Sequence, residues 1–233
     1  MMFRQANPPP LTAWCMQFST PENLVKSASS VLIDATPGMD NRVSVLALTI
    51  FSAAGHLVGD FLRNEEAFYE DIRQYFRDTN PDVITAEAIV WITFLMGQFW
   101  KADQKNDHEM FERVGYITTT AAGKLALEMI KSNTGFDFTE RAIESRNQYH
   151  QSVTNGTLVE AFASVLFLSV GRRSLAEPLK PTRPPLDLVL GTINMALSIF
   201  FSTMPLAYYE TFKNMLRDRP DLFPHGDEDD LEN

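Results

Sequence analysis

Between Val43 and Leu62 the apolar side chains recur at the spacing of an α-helix. They occupy positions 43, 46, 47, 50, 51, 54, 57, 58, 61 and 62, which keeps one face of a helix apolar for about five turns. A polar strip falls on the opposite side: Thr49, Ser52, His56 and Asp60. The apolar pattern continues to Phe76, so it predicts either one helix over 42–78 or two helices with a break near Asn64.

Residues 80–101 give the clearest helix signal in the chain. Asn80 can cap the helix, Pro81 suits its first turn, and the carboxylate of Asp82 is favourable at the positive end of the helix dipole. The residues that follow are apolar on nearly every side. A helix of this composition belongs at the centre of a helical protein.

Other signals divide the rest of the chain into helices. Thr20-Pro21 starts one to about residue 33, and Thr157–Glu160 reads as a capping box that opens another, to about Val170. Asn106 with Glu109 predicts a helix that runs on to Gly135, and Asp137 with Glu140 predicts the next one, mostly exposed. Four prolines in 175–186 predict a semi-rigid connector, and the last helical region spans about 187–217 with a kink near Pro205.

These elements predict an all-α protein, a single globular bundle of seven or eight helices with a proline-rich connector before the last helical region. No segment shows the alternating pattern of a strand. We expect an extended N-terminal segment over 1–18, where three consecutive prolines occur, and the helical domain over 19–220. An acidic tail over 221–233 is expected to be disordered.

The charge of the chain favours a basic protein partner. Lysine and arginine total 20 against 30 acidic residues, a formal charge of −10, and half of that excess lies within 227–232. Nucleic acid is excluded as a partner, because phosphate binding needs clustered lysine and arginine. An acidic protein instead attracts basic proteins by long-range electrostatics.

Two segments supply the residues that we predict to bind the partner. The tail offers a run of carboxylates, and the connector resembles a short polyproline ligand, with cations between its prolines. The predicted partner-binding residues are Asp227, Glu228, Asp229, Asp230, Lys180 and Arg183.

The polar strip of the first long helix contains the residue types of a catalytic triad. Ser52, His56 and Asp60 follow one another at four-residue intervals. A nucleophile in the middle of a helix has no free backbone N–H groups beside it to form an oxyanion hole. We therefore predict a hydrogen bond between His56 and Asp60 and no catalysis here, which leaves catalytic residues unknown.

Metal and cofactor chemistry is weakly represented. The acidic cluster of Glu65, Glu66, Glu70 and Asp71 resembles the clusters with which some all-α nucleotide pyrophosphohydrolases hold magnesium, although its spacing departs from theirs. Histidines are too scattered, and Cys15 too isolated, to build a zinc site. We predict no metal and no cofactor. Glu87 and Glu160, beside apolar helices, are candidates for buried acids with shifted pKa values.

One segment is long enough to span a membrane. The 22 residues from Leu188 to Tyr209 carry no charge. Five polar side chains and Pro205 interrupt the segment, and no cluster of lysine and arginine flanks it closely, so a buried helix is favoured. The N-terminus lacks the apolar run of a signal peptide, and a single cysteine fits a reducing compartment. We expect a cytoplasmic protein.

The sequence thus favours a non-enzymatic interaction or regulatory protein, in its most concrete form an inhibitor or immunity-type factor that binds a basic protein. Two alternatives stay open. One is a magnesium-dependent hydrolase acting on a nucleotide through the acidic cluster at 65–71, and the other is membrane association through residues 188–209.

Overall fold

The computed structural model describes residues 10–17, 40–63, 74–179, 202–220 and 223, and these ranges are all-α, without a strand. They form eight α-helices and one 3₁₀ turn, Gln74–Phe76. The helices are α1 Leu11–Met16, α2 Asn41–Arg63, α3 Pro81–Asn106, α4 His108–Val114, α5 Tyr116–Thr134, α6 Thr139–Asn155, α7 Leu158–Phe167 and α8 Met204–Asp218.

The centre of the fold is α3, as its composition predicts. The side chain of Asn80 accepts a hydrogen bond from the Asp82 N–H at 2.9 Å, and Pro81 begins the helix. Buried residues lie on every side of α3, and each of the other seven helices contacts it. The helix extends to Asn106, five residues beyond its predicted end.

The second core helix is α2, and its predicted polar strip is wrong in part. Thr49 and Ser52 are fully buried, because α1, α3, α5 and α8 together surround α2. The hydroxyl of Thr49 donates to the Val45 carbonyl, which satisfies it inside the core. The alternative of one continuous helix over 42–78 is also wrong, because residues 74–76 form a 3₁₀ turn.

Close packing against α2 explains why part of the N-terminal segment is helical and not extended. Leu11 and Cys15 of α1 are fully buried. The backbone of α1 at Cys15 and Met16 lies against Gly55, where a Cβ atom would overlap the Cys15 carbonyl. Burial of this face stabilises a helix of six residues that would not form alone.

A break at Gly115 divides the single helix that was predicted from Asn106 to Gly135. Asp107 caps α4 by accepting a hydrogen bond from the Met110 N–H, whereas Asn106 ends α3 and Glu109 pairs with Arg113. Gly115 adopts φ +71° and ψ 148°, which a residue with a Cβ rarely adopts. The chain therefore turns here, and α5 starts at Tyr116.

For α5, α6 and α7, the structure agrees with the predicted glycine ends of the first two helices but not with the predicted N-terminal capping boxes of the last two. Gly135 and Gly156 end α5 and α6 in the left-handed conformation. The side chain of Thr157 makes no capping hydrogen bond, and α7 ends at Phe167. The Asp137 carboxylate accepts from the Thr139 N–H and the Lys131 ammonium, and forms no capping box with Glu140.

The C-terminal region is described only in part. Pro205 lies in the first turn of α8, just after the π-helical residues 202–203, so within the described range it starts a helix where a kink was predicted. Residues 175–179 of the connector contain no helix. The helix predicted after Thr20 lies outside the described residues, and so does the acidic tail except for Phe223, which is buried and whose N–H donates to the Pro220 carbonyl at 3.0 Å.

Among the described residues, two helices are long and apolar enough to cross a membrane, α2 over Asn41–Leu62 and α3 over Pro81–Asn106. Within the fold, 83% and 72% of their most apolar windows are buried. The buried core helix of a soluble protein meets the same criterion. Of the segment 188–209, only residues 202–209 are described.

Candidate functional site

The residues predicted to bind a partner, Asp227, Glu228, Asp229, Asp230, Lys180 and Arg183, all lie outside the described residues. The acidic cluster over 65–71 lies outside them as well. The roles assigned to these residues therefore stay predictions. In the part of the chain that the structure describes, no three histidine, cysteine, aspartate or glutamate side chains lie close enough together to hold a metal ion.

The polar strip on α2 forms a hydrogen-bonded group without a nucleophile. His56 Nε2 lies 2.9 Å from Asp60 Oδ2, which confirms the predicted pair, and His56 Nδ1 lies 3.0 Å from the Tyr208 hydroxyl. Both ring nitrogens are thus engaged. The buried hydroxyl of Ser52 has no hydrogen bond to a described residue, so it is not activated by His56.

Glu87 is a fully buried acid of α3, as its position beside an apolar helix predicts. Arg141 Nε donates to Glu87 Oε1 at 2.8 Å, and the hydroxyls of Ser169 and Ser145 lie 3.4 and 3.5 Å from its two oxygens. Burial raises the pKa of Glu87, and the charge of Arg141 opposes that shift. This acid joins α3 to α6 and to the turn after α7.

Several polar atoms around Glu87 have no partner of good geometry among the described residues. Arg172 is 3% exposed, and its Nη2 donates to the Leu175 carbonyl while Nε and Nη1 have no acceptor. Arg141 Nη2 and the Tyr149 hydroxyl likewise have no hydrogen-bond partner of good geometry among the described residues, although Tyr149 lies beside Ser145. The cluster is buried, and its contacts hold α3, α6 and the turn after α7 together.

A second buried pair fastens α8 to the end of α3. The Tyr209 hydroxyl donates to Asp103 Oδ2 at 2.8 Å, and the Lys213 ammonium lies 3.1 Å from Asp103 Oδ1 and 2.9 Å from Glu210. Burial and the hydrogen bond to Asp103 raise the pKa of Tyr209. No pattern in the sequence predicts this contact, because Asp103 and Lys213 are 110 residues apart.

The most exposed apolar side chains of the described residues stand together where α4 meets α5. Tyr116 is 65% exposed and Ile117 is 78% exposed. We call Gly115, Tyr116 and Ile117 the α4–α5 corner. The ring of Trp100 lies beneath it, 5.6 Å from the Tyr116 ring and stacked at 4.5 Å on Phe111.

Two hydrogen bonds from other helices hold this corner in place. Trp100 Nε1 of α3 donates to the Phe111 carbonyl at 3.1 Å, and Arg42 Nη1 of α2 donates to the Arg113 carbonyl at 2.7 Å. Both acceptors are in the last turn of α4, just before Gly115. The exposed pair is therefore presented on a backbone that the core positions.

A cleft of about 310 Å³ opens at the other end of α5. It lies between the start of α3, the end of α5 and the segment after α7. The residues that line it are Pro10, Asn80, Asp82, Asn133, Thr134, Phe136, Ser174, Leu175 and Ala176. One lining residue, Asp82, is charged, and no described lining residue is a cation.

The floor and one wall of the cleft are fixed by hydrogen bonds. Asn80 donates from its backbone N–H to the Arg172 carbonyl at 2.8 Å, and from its side chain to the Arg173 carbonyl at 2.9 Å. Arg172 in turn holds the Leu175 carbonyl. The wall formed by 174–176 is thus connected to the buried cluster around Glu87.

No family model, no curated protein and no solved structure matches this chain. Glu160 is partly buried and near the start of α7. Glu144 pairs with Arg141, and His150 packs on the ring of Phe94 at 5.0 Å.

Proposed function

We propose that this chain is a non-enzymatic protein-interaction protein, of the inhibitor or immunity type, that binds a basic protein partner. The α4–α5 corner is the observation that carries the proposal. Tyr116 and Ile117 expose more of their surface than any other large apolar side chains of the described residues. Aromatic and large apolar side chains that a rigid backbone presents to solvent are characteristic of the energetic centres of protein interfaces.

The charge of the chain supports a basic partner. The formal charge is −10, and Asp227, Glu228, Asp229 and Asp230 concentrate part of it in one short segment. Such a segment speeds association with a basic protein, and the apolar corner then contributes most of the lifetime of the complex. Lys180 and Arg183 are proposed as a further contact through the proline-rich connector.

Replacement of Ile117 by serine is expected to weaken the complex by about 2 kcal/mol, roughly thirtyfold in Kd, because it removes an anchor from the centre of the interface. The measurement is retention of the captured partner on immobilised protein, followed by titration of that partner. Capture from the source cells at low salt provides the partner.

Ile143→Ser is the matched control, since Ile143 is 54% exposed on α6, away from the corner. We expect it to leave partner affinity and stability unchanged, because surface substitutions usually alter stability by less than about 0.5 kcal/mol. Neutralising the four tail carboxylates as amides should slow association and flatten its salt dependence. A partner that binds Ile117→Ser and the neutralised tail as tightly as the natural chain contradicts the proposal.

A further inference from the structure

We propose that the cleft beside Asp82 binds an aliphatic ammonium group, supplied by a lysine side chain or by a free alkylamine. This ligand site is separate from the surface that carries the proposed function. The cleft and the α4–α5 corner lie at opposite ends of α5, which has 19 residues and is therefore about 28 Å long at the rise of an α-helix. The two surfaces can therefore be tested separately.

The lining of the cleft is negative and has an apolar side. The carboxylate of Asp82 is half-buried at its floor, and Asn133 and Thr134 come from the last turn of α5. The negative end of the α5 dipole and the positive end of the α3 dipole both border the cleft, so the carboxylate of Asp82 is the charge that attracts a cation there. Phe136 adds an aromatic ring, whose face also attracts a cation, while Leu175 and Ala176 can contact methylene groups.

The hydrogen bonds of Asp82 select an ammonium group over a guanidinium group. Oδ1 accepts from the Thr12 N–H at 2.9 Å and from the Thr12 hydroxyl at 2.7 Å. No described residue donates to Oδ2. A guanidinium group prefers to bind both oxygens of a carboxylate, whereas an ammonium group needs only one.

The size of the cleft also limits the ligand. Its volume of about 310 Å³ is at the lower end of the range of about 300–1,000 Å³ for small-molecule sites. The chain of a lysine side chain fits such a space, and its methylene groups can lie on the apolar wall while the ammonium group reaches Asp82.

The test uses the full chain and matched amino-acid amides. The backbone amide signals of Asn80, Asn133 and Ser174, and the side-chain amide signals of the two asparagines, are followed by NMR during titration with N-acetyl-lysine amide. Its uncharged analogue N-acetyl-norleucine amide and its guanidinium analogue N-acetyl-arginine amide serve as comparisons. We expect the lysine compound to shift these signals to saturation. Both analogues are expected to bind with a Kd at least about tenfold higher.

Asp82→Asn is the decisive variant, because the amide oxygen can still accept from Thr12 while the charge is lost. We expect it to weaken binding of the lysine compound about tenfold. Glu128→Gln, at an exposed carboxylate on α5 outside the cleft, should leave binding unchanged. If Asp82→Asn disturbs the fold, Ala176→Phe provides a second test, since it fills the cleft from an exposed position without touching Asp82.

A parallel titration with cadaverine separates the two sources of the ammonium group. Tighter binding of cadaverine than of a lysine-containing peptide identifies a free amine as the ligand, and the reverse order identifies a lysine of a protein. Equal shifts with norleucine amide, or full binding by Asp82→Asn and Ala176→Phe, overturn the proposal. Neither result bears on Ile117, so the two proposals fail independently.

Discussion

Replacement of Arg141 by alanine is expected to lower the free energy of unfolding by about 3–5 kcal/mol, the loss found when one partner of a buried ion pair is removed. Glu87 is fully buried, and Arg141 Nε is its closest donor, at 2.8 Å. Without Arg141, the carboxylate keeps, among the described residues, two long hydroxyl contacts and the more distant charge of Arg172. Urea denaturation at neutral pH measures the loss.

Arg146→Ala is the control for that experiment, since Arg146 is an exposed residue of the same helix. We expect it to change stability by less than about 0.5 kcal/mol. A loss in Arg141→Ala no larger than the loss in Arg146→Ala would show that Glu87 does not depend on this ion pair.

The pH dependence of stability gives a second measure of the same pair. Burial raises the pKa of Glu87 above its ordinary 4.5, against the attraction of Arg141. The folded state then binds this proton more tightly than the unfolded state, so the contribution is complete below pH 4.5 and is lost as pH rises through the raised pKa. The cost of Arg141→Ala should therefore shrink in acid, where Glu87 is protonated, and Glu87→Gln should remove this part of the pH dependence.

Gly55→Ala is expected to destabilise the protein by about 1–3 kcal/mol, as other substitutions that overpack a core do. An added Cβ would overlap the backbone carbonyl of Cys15, and backbone cannot rotate away as a flexible side chain can. To make room for the added Cβ, either α1 detaches from α2 or the two helices pack with a larger distance between their axes. Thermal and urea denaturation measure the loss.

Gly97→Ala is the matched control, because Gly97 is also in a helix but has nothing within 4 Å of an added Cβ. Alanine is the better helix former, so we expect a gain of about 0.5–1 kcal/mol. Opposite signs for the same substitution would identify packing, and not helix propensity, as the reason for glycine at 55. Equal effects at both positions would contradict the contact between α1 and α2.

Features determined by neighbouring residues could be predicted from the sequence. The cap at Asn80 depends on the two residues that follow it, and the ends at Gly135 and Gly156 depend on the conformation of one residue. Residues 157–160 have the residue types of a capping box, but the Thr157 side chain forms no capping hydrogen bond. The helix predicted from Asn106 to Gly135 passes through Gly115, whose backbone has φ +71° and ends α4 instead.

The site features depend on residues far apart in the chain, and this is why the sequence did not reveal them. Glu87 and Arg141 are 54 residues apart, and the charged residues of α6 predicted an exposed helix. The cleft combines four segments, which are Pro10, the start of α3, the end of α5 and residues 174–176, and their proximity follows only from the packing of the helices. The exposure of Ile117 could not be read from its apolar character, which predicts burial.

The contact between α1 and α2 also provides a way to measure how often α1 detaches from the core. Cys15 is the only thiol of the chain, it is fully buried, and burial raises its pKa. A thiol in this state cannot be alkylated until α1 leaves its place. The speed of alkylation in native buffer therefore reports how often this six-residue helix detaches, and comparison with the speed of global unfolding shows whether it detaches alone.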